Sequence, residues 1–193
     1  MTAPTPPAQQ QLLVPDARFS LAELHAMKLD GVLRHLDGTV FVPAGMPETV
    51  ELRAAALAVQ VPASLARRAI VAQLSAAWVY GCAPPPSPLA LFLMPGGKSA
   101  QLPPFSGCSL RELQLAAHDV WELAGCCVTS PVRTAVDVAR SAPLPLAGQV
   151  LAALMGHEEL DCGRDRVLAA LLAMRHVPGR TRALELVRQP GGA

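Results

Sequence analysis

Hydrophobic and polar positions follow two different periods along this chain, and the places where the period changes mark its elements. Residues 1–17 mix Pro, Gln and Thr with few bulky side chains, which predicts a solvated tail that cannot offset its ordering entropy. Ser20-Leu21-Ala22-Glu23 has the pattern in which a hydroxyl satisfies one orphan helix amide and a carboxylate another. A short helix should follow, with Leu21, Leu24 and Met27 on one face and Asp30-Gly31 at its end. Two β-prone runs, residues 32–36 and 39–42, then flank Asp37-Gly38, the strongest hairpin signal in the chain.

Beyond Pro43 and Pro47, Thr49 caps a helix through Leu52, Ala56 and Val59 toward Pro62. Residues 69–72 read either as a buried strand or as the start of the next helix. Ser75 is a plausible N-cap for residues 76–80, with Gly81 at the helix end. The prolines at 84–86 and 88 require an extended connector. The apolar run 89–94 reads as an interior strand, and residues 109–115 alternate. Residues 119–123 and 126–129, joined by Ala124-Gly125, predict a second hairpin. From Ser130 the period lengthens to that of a helix: Pro131 suits a first helical position, and Val132, Ala135, Val136 and Ala139 recur on one side. Residues 146–155, 161–174 and 181–187 give three further helices. The order helix, hairpin, helices, strands, helices predicts an α+β fold. Its expected parts are a small helix-plus-hairpin module over 18–46, a larger domain over 47–189 and a short tail over 190–193.

Composition narrows the function classes. The 193 residues are 51% hydrophobic and 16% charged, with a net charge of +1, so no global field draws the chain to nucleic acid or to an anionic surface. Mean hydropathy is +0.33, yet no run of about 18 uncharged apolar residues predicts a membrane span. Residues 1–11 lack the basic start and apolar stretch of a secretory signal, so the chain reads as cytoplasmic. The five cysteines, Cys82, Cys108, Cys126, Cys127 and Cys162, form no CxxC pair, and the five histidines lack matching spacing. Neither a disulfide framework nor a metal site is expected, and no cofactor. No GxGxxG, GxSxG or HExxH is present. Gly97-Lys98-Ser99 mimics the end of a phosphate loop, but the position of that motif's first glycine is Phe92. Asp119 and Glu122, three apart on one expected strand, point to opposite faces and would not share a metal. Glu158, Glu159 and Asp161 fall in an inter-helix turn.

Three runs carry a resemblance. They are residues 74–81 (Leu-Ser-Ala-Ala-Trp-Val-Tyr-Gly), residues 129–140 (Thr-Ser-Pro-Val-Arg-Thr-Ala-Val-Asp-Val-Ala-Arg) and residues 178–184 (Pro-Gly-Arg-Thr-Arg-Ala-Leu). Together they resemble the AbiEi-type antitoxin family of type IV toxin–antitoxin systems, over most of residues 19–189. The resemblance implies a winged-helix module followed by an α+β antitoxin domain, operator DNA as one partner and a nucleotidyltransferase toxin as the other. Its motif residues here are Ser75, Trp78, Gly81, Thr129, Pro131, Arg133 and Asp137. None of them is a catalytic signature, so the chain is expected to bind and to perform no chemistry.

The residues themselves add three readings. Arg133 and Asp137, four apart, read as an ion pair of the kind that supports a helix by a few tenths of a kcal/mol, or as a polar contact to a partner. Trp78, among alanines at helical spacing, predicts core filling. The winged-helix-like module is shorter than the family's, and between Arg18 and Arg53 it carries four basic against five acidic side chains. Phosphate contact requires a local positive excess. The basic concentration is instead C-terminal: Arg164, Arg166, Arg175, Arg180, Arg182 and Arg188 against Asp165 and Glu185. This stripe reads as a solvated face or as a DNA or partner contact. The alternative to an antitoxin is an interaction or scaffold protein of the same fold that has lost DNA binding. A hydrolase whose carboxylates are assembled only by the fold is the third class.

Overall fold

The first helix begins where its cap predicts. Ser20 Oγ accepts the Glu23 amide at 3.3 Å, and Glu23 Oε2 accepts the Ser20 amide at 2.7 Å, so α1 (Leu21–Leu29) starts with two orphan donors satisfied. The computed structural model describes residues 8–96, 101–175 and 177–189. Expectations for residues 1–7, Gly97-Lys98-Ser99, His176 and the 190–193 tail lie outside these. The hairpin forms as β1 (Leu33–Asp37) and β2 (Val40–Pro43), with Gly38 at φ +53 in its turn. Phe41, fully buried, joins Leu24 and Leu33 in a small core that Leu13, Phe19 and Met27 flank.

Residues 8–14 correct the expectation of a solvated tail. A 3-10 turn (Ala8–Gln11) leads into Leu13, which exchanges two backbone hydrogen bonds with Phe41 at 2.8 Å each. The reason is the apolar triplet Leu12-Leu13-Val14, which packs on the cores and offsets an ordering cost that Pro, Gln and Thr could not. The opposite face of the hairpin, Leu36, Val40 and Val42, belongs to the main core together with α2 (Val50–Ala58).

A five-stranded sheet has the order β5-β4-β3-β7-β6, built from β3 (Ala69–Val71), β4 (Leu89–Leu93), β5 (Cys108–Glu112), β6 (Val120–Leu123) and β7 (Cys126–Thr129). Both β3–β4 and β6–β7 are antiparallel, whereas β3–β7 and β4–β5 are parallel. The ambiguous run at 69–72 is therefore a strand, paired on both sides and buried throughout. Because strand side chains alternate, Ala69, Val71, Leu89, Leu91, Leu93, Cys126 and Val128 face one core, while Ile70 and Phe92 meet Leu115 on the other. The first of these cores packs against α2 and the later helices: α3 (Gln73–Val79), α4 (Pro131–Ser141), α5 (Leu144–Gly156), α6 (Arg164–Ala173) and α7 (Arg180–Arg188). The fold is α+β: among the described residues, seven α-helices, a two-stranded antiparallel sheet and a five-stranded mixed sheet. The helix expected over 161–174 begins later, because Asp161 is left-handed at φ +47 after a 3-10 turn (Glu158–Leu160).

Ser75 is not a helix cap. The chain turns from β3 straight into α3, with Ala72 at the N-cap position and its amide still bonded to Ala90 O at 3.0 Å. Ser75 is thus one turn inside the helix, fully buried, and its Oγ accepts the Ala90 amide of β4 at 2.9 Å. Replacing Ser75 by Ala leaves that amide without a partner, so denaturant unfolding should show a loss of roughly 1–3 kcal/mol.

Candidate functional site

Helix α4 begins at a proline. Pro131 occupies its first position, as the sequence predicts, and Ser130 stands at the N-cap position without a side-chain cap bond. One turn in, Arg133 lies bidentate on Asp137, Nε to Oδ2 at 2.7 Å and Nη2 to Oδ1 at 3.2 Å. Its third nitrogen, Nη1, reaches Asp119 Oδ2 at 3.3 Å, and Arg140 Nη1 meets Asp137 Oδ1 at 3.2 Å. The side chains of Arg133 and Asp137 are 7% and 3% exposed. This differs in kind from the surface pair expected from spacing alone: in a desolvated pair, removing one partner strands the other charge. Burial pushes the Asp137 carboxyl up, while the hydrogen bond and charge of Arg133 and the charge of Arg140 pull it down.

The three sequence motifs meet on this helix. Tyr80, which ends the first motif's helix, donates its hydroxyl to Thr129 O at 2.7 Å. The Thr129 and Thr134 hydroxyls lie 2.7 Å apart, and Thr134 Oγ1 also reaches Thr129 O at 3.0 Å. Trp78 is core, 3% exposed, with the Arg53 guanidinium 5.6 Å from its ring centroid. Gly81 closes that helix at φ +76, where an added Cβ would lie 2.6 Å from Arg53 Nη1. The third motif packs on the far end of α4: Arg140 Nε donates to Pro178 O at 3.1 Å, and a Cβ on Gly179 would lie 2.7 Å from Arg140 O. Positive φ and this close approach both require glycine there.

The C-terminal arginines do not form one stripe. Arg180 donates to Leu171 O at 2.8 Å and Leu172 O at 3.2 Å, at the end of α6. Arg182 donates to Arg140 O at 3.4 Å and also to Ala142 O, at the end of α4, and its Nε is buried without a partner. Arg164 reaches Arg188 O and Gln189 O, at 3.4 and 2.9 Å. Each of these three cations thus satisfies the last carbonyls of a neighbouring helix, where the helix dipole favours positive charge. Arg166 pairs with Asp161 on the surface, and Arg175 and Arg188 are exposed.

Beside the start of α4 a cavity of about 430 Å³ opens between the β6–β7 hairpin and α6. Trp121, Pro131, Val132, Val136, Leu160 and Met174 make it apolar; Ser130, Arg133, His118, Asp119, Asp161 and Arg166 give it a polar side. Trp121 is 41% exposed and stands edge-on to the buried Tyr80 ring at 6.2 Å. The sequence motifs bring Ser130, Pro131 and Arg133 to this cavity; Trp121 and Asp119 are the residues that motif reading misses. The signal for Asp119 was the second hairpin: its register pairs Val120 with Thr129, and the Ser130 amide bonds Asp119 O at 2.8 Å.

Asp119 lies in a 3-10 turn (Ala117–Asp119) rather than on the strand, turned to Arg133, while exposed Glu122 pairs across to Cys127. Among the described residues no group of three or more His, Cys, Asp or Glu is placed to hold a metal ion. Cys126 is buried and Cys127 half-buried, the division that alternation predicts. Burial pushes the thiol of Cys126 up to about 12 and that of Cys162 up to about 11, and raises Cys82, Cys108 and Cys127 as well. No described helix is long and apolar enough to cross a membrane. Neither protein-family models nor curated proteins match the chain.

Asp137→Asn should lower stability by about 3–5 kcal/mol in denaturant unfolding, since Arg133 is then left buried beside a neutral group. The raised thiols should make native protein react slowly with a disulfide reagent at neutral pH, with Cys126 and Cys162 titrating only on unfolding. Rapid reaction of either under native conditions would contradict the geometry.

Proposed function

We propose that this chain is a binding protein of the AbiEi antitoxin type, which performs no chemistry and engages a nucleotidyltransferase toxin through the cavity at the start of α4. The observation that supports this reading is the disposition of the motif. Its charged side chains are buried on one another, and beside them at the surface lies an apolar rim that includes Trp121, edge-on to Tyr80. An aromatic beside aliphatic groups and an arginine is the composition of a protein-binding hot spot. The cavity has few groups free to do acid–base work, because Asp119 already accepts Arg133 and the Ala116 amide.

A second reading, the same fold without operator recognition, draws support from the N-terminal module. Glu48 accepts Arg34 at 3.1 Å and Arg53 at 2.8 Å, and Arg18 faces Asp16 at 3.7 Å. Three of the four basic groups between Arg18 and Arg53 thus have carboxylate partners, which weakens phosphate attraction.

Coexpression with nucleotidyltransferase toxins of the same genome tests the first reading. The chain should restore growth against its cognate toxin, and Trp121→Ala or Val132→Asp should abolish rescue while melting like the parent protein. Failure to neutralise any of them, or rescue unaffected by both substitutions, would refute it. A gel shift of the upstream promoter at two salt concentrations separates the readings: salt-sensitive retention supports an autoregulating antitoxin, and unchanged mobility supports loss of operator binding.

A further inference from the structure

The start of α4 is left with unused hydrogen-bond donors. An α-helix exposes four N–H groups at its N-terminus. Here Pro131 has none, and the Ser130 amide bonds Asp119 O at 2.8 Å, which leaves Val132 and Arg133 with no acceptor among the described residues. The residue placed to serve them does not do so: Ser130 is the N-cap, yet its hydroxyl makes no cap bond and no other bond to a described residue. Ser130 is only 8% exposed and lines the cavity beside Trp121. A hydroxyl without a partner, on a largely buried residue that lines the cavity, and two amides without acceptors, at the positive end of an 11-residue helix, are complementary to negatively charged oxygens.

The charged groups around this point are Arg133 and Asp119 from the motif side, His118 at the rim, and Arg166 and Asp161 from the α6 side. Asp119 is held by Arg133 and the Ala116 amide, so it does not fill the site. Arg166 and Asp161 are 61% and 72% exposed, and an exposed pair of this kind is worth little. Arg166 can therefore leave Asp161 for an incoming anion at small cost.

We propose that the N-terminal end of α4 is an oxyanion-binding site, which takes a phosphate or carboxylate group carried on a ligand whose apolar part lies against Trp121. The Val132 and Arg133 amides and the Ser130 hydroxyl hold the oxygens, and Arg166 supplies the mobile positive charge. This goes beyond toxin binding, because it predicts recognition of a small ligand by the isolated chain.

Trp121 fluorescence reads the site directly. Titration with inorganic phosphate, phenyl phosphate and benzoate at constant ionic strength should give a saturable change with at least one of them. Tighter binding of phenyl phosphate than of benzoate identifies a phosphate site, and the reverse identifies a carboxylate site. Ser130→Ala and Arg166→Ala should each weaken the response by about tenfold, equivalent to about 1.4 kcal/mol. Ser130→Asp carries its own carboxylate to the same amides, so it should abolish binding and raise the melting temperature. Amide shifts of Val132 and Arg133 in NMR spectra should follow the same isotherm. Absence of saturation with all three probes, or binding undiminished in Ser130→Asp, would overturn the proposal.

Discussion

A carboxylate and a guanidinium buried together constrain everything else in this fold. Asp137 and Arg133 lie out of water on the inner side of α4, and each charge would be strongly unfavourable there alone. Two short contacts between them, with Asp119 and Arg140 on the flanks, satisfy the charges in a single arrangement. That arrangement fixes the rotation of α4 about its own axis, and through Asp119 it fixes the β6–β7 hairpin against the helix start. Arg140 carries the same restraint to the far end, where Pro178 O accepts it and Gly179 allows the chain to approach. Such a pair adds little net stability compared with apolar residues of the same volume; its contribution is to select one packing among several.

The candidate site is the remainder of that arrangement. Thr129 and Thr134 satisfy each other, Tyr80 holds Thr129, and the hairpin brings Trp121 to the phenol. The polar groups of the middle motif are thereby used internally except at the helix start, where the Ser130 hydroxyl and the Val132 and Arg133 amides have no partner among the described residues. A surface made rigid by its supporting layer loses little conformational freedom when a partner binds, which favours affinity at modest area.

Much of the fold was legible from local signals. The capping box at Ser20, the Asp-Gly hairpin, the Thr49 cap and the proline at the start of α4 all depend on residues a few positions apart, and all appear as read. Strand faces followed from alternation. The failures at Ser75, at Arg182 and at the buried pair share a cause: each depends on contacts distant in sequence. Ser75 resembles a cap until β4 is laid beside it, and Arg182 resembles a solvated cation until the end of α4 supplies carbonyls 40 residues away. Spacing alone places Arg133 and Asp137 four apart on a helix but gives no indication that the fold buries them. The arginine caps were the least legible, since a basic side chain near a helix end is the same in sequence whether it meets water or a carbonyl.

The most direct measurement is a double-mutant cycle on the buried pair, Arg133→Met and Asp137→Leu singly and together, read by denaturant unfolding. If the two charges are present for one another, each single replacement should cost several kcal/mol, about 3–5, and the double should recover most of that loss. Costs that simply add, or singles that change stability by less than about 1 kcal/mol, would contradict the account and leave α4 without the restraint assigned to it.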